Sequence, residues 1–149
     1  MTAKADFNAE EWEVLLQAPP SAGLIVVASD RGGSIKESIS MAKAYAEARE
    51  QHGASQLLDD IVSAKPEMDR TKHGSADEMK QACLQNLTAA IDLLNAKAAP
   101  GEVEEYRKFV LGLAEKVANA RREGFMGISG ERVSDAERTA IGEIAAALA

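Results

Sequence analysis

Residues 102–123 read EVEEYRKFVLGLAEKVANARRE. Val103, Tyr106, Val110, Leu113, Val117 and Ala120 recur at spacings of three and four. That alternation puts all six on one face of an α-helix, which turns every ~3.6 residues. A half-buried strand would need alternation by two. Arg121 and Arg122 suit the negative end of the helix dipole, and Gly124 supplies a helix stop. Pro100-Gly101 breaks the chain just before this segment. Upstream of the break, Leu84, Leu87, Ile91 and Leu94 repeat at three, four and three. Two helices of similar length joined by a short breaker predict an αα-hairpin, over about 76–98 and 102–123. The long stripe is either an internal core face or the seam of a coiled-coil dimer. Its short run of heptads, among other apolar helices, favours the core.

The rest of the chain supports the same class. Asn8 can cap a helix with Glu11 three residues on, and Phe7 and Trp12 stand at the two staple positions. Pro19-Pro20 predicts the end of that helix or the start of another, because proline fits only a first turn. The run from Ala22 to Ala28 is a short buried strand or a short buried helix. Its flanking prolines and helical context favour the helix. Ser34 with Glu37, Ser75 with Glu78 and Ser134 with Glu137 repeat the capping-box spacing. Ile35, Ile39, Ala42 and Ala46 mark one face of the next helix, small enough at its end for close approach. His52-Gly53 predicts its stop. A short helix carrying Leu57, Leu58, Ile61 and Val62 follows, closed by Pro66. The expected fold is all-α: one domain over 1–149, a compact bundle of six to seven helices.

Composition agrees. The chain has 149 residues, of which 28 are Ala, while aromatics make up only 4%. Alanine is the strongest helix former, and strand formers are sparse. The formal net charge is −7, which disfavours nucleic acid, since phosphate binders carry a basic stripe. The densest basic cluster, Lys116, Arg121 and Arg122, is too thin for that role. One cysteine, Cys83, allows no intrachain disulfide. No apolar run approaches the ~18 residues of a membrane span, and residues 1–6 lack the apolar core of a signal peptide. A cytoplasmic protein that binds neither nucleic acid nor membrane is expected.

Catalytic patterns are thin. A nucleophile needs a base and an orienting group within reach. The two histidines, His52 and His73, fall at a helix end and in a polar stretch. Cys83, four residues from Met79 and from Leu87, reads as core filler. No zinc spacing, Walker loop or dinucleotide fingerprint occurs. Gly32-Gly33 before a helix start reads as a turn rather than a phosphate cradle, because no Lys-Ser/Thr pair follows. Paired carboxylates could do acid–base work, but nothing in the sequence places two of them across a cleft. The protein is not expected to be an enzyme.

One internal echo carries more. Asp30-Arg31-Gly32-Gly33-Ser34-Ile35-Lys36-Glu37 lies one hundred residues before Gly130-Glu131-Arg132-Val133-Ser134-Asp135-Ala136-Glu137. Each is a turn leading into a capped helix, and two capping boxes look alike whatever their ancestry. Glu10-Glu11-Trp12 with Leu15, Leu16, Ala18 and Pro19, then an apolar helix and Asp30, Ser34 and Glu37, resembles the bacterial tellurite-resistance TerB-like family. The resemblance implies a helical bundle with two pseudo-symmetric motifs. Asp30 to Glu37 spans the family's seven residues, and Val133, Ser134 and Glu137 fall on its aliphatic, cap and glutamate positions. Arg31, Gly33 and Gly130 depart from the pattern.

The resemblance also implies a stress-related accessory protein holding a divalent cation, Ca²⁺ or Mg²⁺, at two acidic turns. Hard cations take carboxylate and carbonyl oxygens from such turns. Asp30, Glu37 and Glu137 match the acidic positions, and Glu131 and Asp135 are substitutes beside them. The alternative is a metal-free interaction module. Its surface would be the loop 124–133, where Phe125, Met126 and Ile128 need either the protein's own core or a partner, such as a second copy.

Overall fold

The structure, a computed structural model, describes residues 4–29, 35–50, 56–64, 76–123 and 135–149. They form a 3-10 turn at Lys4–Asp6 and six α-helices. These are α1 (Ala9–Ser29), α2 (Ile35–Glu50), α3 (Gln56–Ser63), α4 (Ala76–Lys97), α5 (Pro100–Glu123) and α6 (Asp135–Leu148). No strand occurs among the described residues. The all-α bundle and the two long helices around the Pro100 breaker are as the sequence predicts.

The start of α1 carries out its sequence rule in full. Glu11 N donates to Asn8 Oδ1 at 2.8 Å, and Asn8 N donates to Glu11 Oε1 at 3.0 Å. Those two bonds satisfy helix donors that otherwise lack partners. The staple closes beside them, with the Phe7 and Trp12 ring centroids 5.9 Å apart. Lys97 Nζ, from the end of α4, donates to Glu11 Oε1 at 2.7 Å and to the Asp6 carbonyl. The chain's first turn is thereby tied to the far end of α4.

Pro19-Pro20 is where the structure departs most from expectation. The helix does not end there. It runs unbroken from Ala9 to Ser29 with both prolines inside. Lacking an N–H, Pro19 leaves the Leu15 carbonyl without its helical donor. The Tyr106 hydroxyl supplies one instead, donating to the Leu15 carbonyl at 2.8 Å. On the same turns Asn86 Nδ2 donates to the Val14 carbonyl, and Ser21 Oγ donates to the Gln17 carbonyl. Of these three bonds, the one from Tyr106 reaches a carbonyl that a proline has orphaned; the other two are additional ties on neighbouring turns. Every residue from Ala18 to Val26 is buried. A helix segment buried all round belongs at the centre of a bundle, and α1 packs against α4, α5, α6 and α2.

Around that spine, Cys83, Leu87, Ala90, Ile91 and Leu94 of α4 are buried. So are Val103, Tyr106, Val110, Leu113 and Val117 of α5. The α5 stripe is therefore internal core. α4 and α5 meet each other little; α4 lies chiefly on α1, and α5 about equally on α2 and α1. Pro100 opens α5 as its first residue, with Glu102 Oε1 accepting from Ala99 N, so the breaker is itself a helix start.

A second correction concerns α2. Ala42 and Ala46 are exposed, while Ala44 and Tyr45 are buried. Tyr45 stands edge-on to Phe109 of α5, centroids 5.3 Å apart. Burying one aromatic ring removes more apolar surface from water than burying two alanine methyls, so the ring sets the face. Arg49 Nε donates to the Val62 carbonyl at 2.6 Å, and Arg107 Nε to the Leu148 carbonyl. These two guanidinium groups satisfy carbonyls at the C-terminal ends of α3 and α6.

Candidate functional site

α1 and α3 make little direct contact, and the gap between them is an open cleft of about 930 Å³. One wall is a face of α1: Ala9, Trp12, Glu13, Leu16 and Gln17, which recur at helical spacing. Gln56, Asp60 and Ala64, at and just beyond α3, form the other wall, spaced by four. The 3-10 turn closes one end with Lys4, Ala5, Phe7 and Asn8.

The polar groups of the cleft are placed by hydrogen bonds. Lys4 N donates to Asp60 Oδ2 at 3.2 Å, which ties the turn to α3. Gln17 Nε2 donates to Glu13 Oε1 at 3.0 Å along α1. Lys4 Nζ lies 6.0 Å from the centroid of the Trp12 ring. At the back of the staple, Lys97 Nζ lies 5.4 Å from the Phe7 ring. The Asn8 backbone N–H, followed by Lys97, holds the Glu11 carboxyl below its ordinary pKa.

A second, smaller cavity of about 300 Å³ lies among α2, α3 and α5. Glu47 and Lys116, on its rim, pair with each other. Glu105 lines it, and its Oε2 is buried without a hydrogen-bond partner, as is the Tyr45 hydroxyl.

Among the described residues, the cysteine and both tyrosines are buried. Cys83 is buried, and burial pushes its thiol pKa up against a smaller opposing effect of Ser21. Burial likewise raises the phenols of Tyr45 and Tyr106. The hydroxyls of Ser21, Ser63 and Thr88 each donate to a carbonyl one turn back in their own helix. None of the described residues lining the large cleft is Ser, Cys, His or Tyr.

The sequence-predicted site residues are not among the described residues that line the cleft. Asp30, Glu131 and the loop residues Phe125, Met126 and Ile128 lie outside the described residues, as do His52 and His73. Glu37 falls on α2, and Asp135 and Glu137 on α6, with side chains outside the described set. Among the described residues, no group of three or more His, Cys, Asp or Glu is placed to hold a metal ion. No described helix is long and apolar enough to cross a membrane. Comparison with protein-family models, curated proteins and solved structures finds no match.

The sequence reading missed the cleft. Its only signal was the pairing of two mixed-polarity helix faces, 9–12–13–16–17 and 56–60–64.

Proposed function

We propose that this protein is a non-enzymatic helical binding module. It works by holding a ligand or partner rather than by turning a substrate over. The observation that carries this reading is the large cleft, with apolar and aromatic walls and a few fixed polar groups. Ligand sites have that make-up. Its described lining offers no nucleophile–base pair of the kind acyl or phosphoryl transfer requires. Thermal-shift screening of the full chain against a panel of small metabolites tests it. Stabilising compounds are expected, recovered chemically unchanged after long incubation. Conversion of a stabilising compound to product would overturn the reading.

A second reading is the TerB-like one: a cytoplasmic, stress-related bacterial accessory protein with a divalent cation, Ca²⁺ or Mg²⁺, at its two acidic turns. The positions at which α2 and α6 begin, Ile35 and Asp135, support it. Ser34 and Ser134 each directly precede a helix, and Glu37 and Glu137 fall in the first turns, as the resemblance implies. Asp30, Glu131 and Asp135 would complete the ligand set. Calorimetric titration with Ca²⁺, Mg²⁺ and Zn²⁺ checks it; no heat and no change in melting temperature would remove the metal. The net charge of −7 supports the absence of a nucleic-acid partner. Phe125, Met126 and Ile128 stay assigned to a protein partner or a second copy. That assignment falls if Phe125→Ser leaves both elution volume and partner capture unchanged.

A further inference from the structure

The cleft between α1 and α3 already holds an ammonium. Lys4 Nζ stands over the Trp12 indole at 6.0 Å, within the range at which an aromatic face attracts a cation. A lysine side chain is chemically an alkylamine, four methylenes and an ammonium, laid here along an apolar wall. It enters from the 3-10 turn, whose backbone is fixed to Asp60. The cleft is far larger than this one side chain. Its volume of about 930 Å³ lies in the range of small-molecule sites, ~300–1,000 Å³. Among the described lining residues, the acidic Glu13 and Asp60 outnumber the basic Lys4 by one. The chain as a whole carries −7, and such a field draws cations toward it.

We propose that the cleft binds an amphipathic amine, a small molecule with an apolar body and one ammonium group. Its ammonium takes the place over Trp12 that Lys4 now holds, facing Glu13 and Asp60. Its body lies along Phe7, Leu16 and Ala64. Lys4 is then a resident competitor, displaced when the ligand enters. This inference rests on the binding-module reading and adds the ligand's chemical class to it.

Trp12 is the one tryptophan in the chain, so its emission reports directly on the cleft. The full chain is titrated with octylammonium chloride, octyl sulfate and 1-octanol, each below its aggregation concentration. A saturable emission change with octylammonium is expected, with much weaker responses to the other two. Asp60→Asn and Glu13→Gln are expected to weaken octylammonium binding roughly two- to fivefold each, the size of one exposed charge pair. Both should leave octanol unchanged. Lys4→Ala is expected to tighten octylammonium binding, because the competing ammonium is gone. A purely structural Lys4 would give the opposite sign.

Equal affinity for all three octyl probes would overturn the amine while leaving a binding cleft in place. No saturable response to any of them, or weakening by Lys4→Ala, would overturn it as well. Tighter binding of a lysine-rich amphipathic peptide than of octylammonium would replace the small amine with a protein segment.

Discussion

Tyr106→Phe isolates the contact that lets α1 pass through its prolines. The substitution keeps the ring and removes only the hydroxyl. Tyr106 is 1% exposed, and its oxygen donates to the Leu15 carbonyl at 2.8 Å. Pro19 has no N–H for that carbonyl, and Leu15 itself is fully buried. Losing the hydroxyl leaves a buried acceptor unpaired, which costs about 1–3 kcal/mol. For a chain of this length that corresponds to roughly 2–12 °C in Tm. The measurement is a double-mutant cycle, by urea or thermal unfolding, with Pro19→Ala as the second change. Alanine at 19 restores the helical donor to the same carbonyl. Tyr106→Phe should therefore cost less in the Pro19→Ala background, with a coupling of about 0.5–3 kcal/mol. Equal cost in both backgrounds, or a Tyr106→Phe cost below about 0.3 kcal/mol, would refute the substitution of one donor for the other.

Three further outcomes are expected. Gly142 lies inside α6 with open space where a Cβ would stand, so Gly142→Ala should stabilise by about 0.5–1 kcal/mol; unchanged denaturant unfolding would count against it. Glu11 has its carboxyl pKa depressed by the Asn8 N–H and by Lys97. Its contribution is therefore present above the unfolded-state pKa and lost as pH falls through the folded one. The Tm gap between wild type and Glu11→Gln should be widest near neutral pH and close in acid; a gap that grows in acid would reverse the assignment. Cys83 is buried with its thiol pKa pushed up, so a disulfide reagent should label it only as the chain unfolds. Rapid labelling under native conditions would place it at the surface.

What was legible in the sequence was local. Asn8 and Glu11 sit three residues apart, and their reciprocal bonds need only that spacing. The stripe on α5 is equally self-contained, since five large apolar residues at three and four specify one face. Pro19-Pro20 was misread because the rule against interior proline counts only the donors within the helix. The donor that replaces Pro19's comes from Tyr106, 91 residues from Leu15. No local pattern contains that information. On α2 the sequence pointed to the face of Ala42 and Ala46, and the ring of Phe109, on another helix, turns Tyr45 inward instead.

The cleft fails to show for a different reason. A wall that must stay open to a ligand cannot be closed by core packing, so it mixes apolar with polar residues. Ala9, Glu13 and Leu16 on α1, and Gln56, Asp60 and Ala64 opposite, read one helix at a time as ordinary solvent-facing stripes. Only the separation of α1 from α3 makes them two sides of one site, and that separation is set elsewhere. Lys4 ties the turn to Asp60, and Arg49 holds the end of α3 to α2. α1, meanwhile, is committed to α4 and α5. It packs also on α6 and α2, and meets α3 little. The space it leaves beside α3 follows from that commitment. The fold of this chain is thus written in its strongest stripes, while its candidate site lies on the weak faces that those stripes leave over.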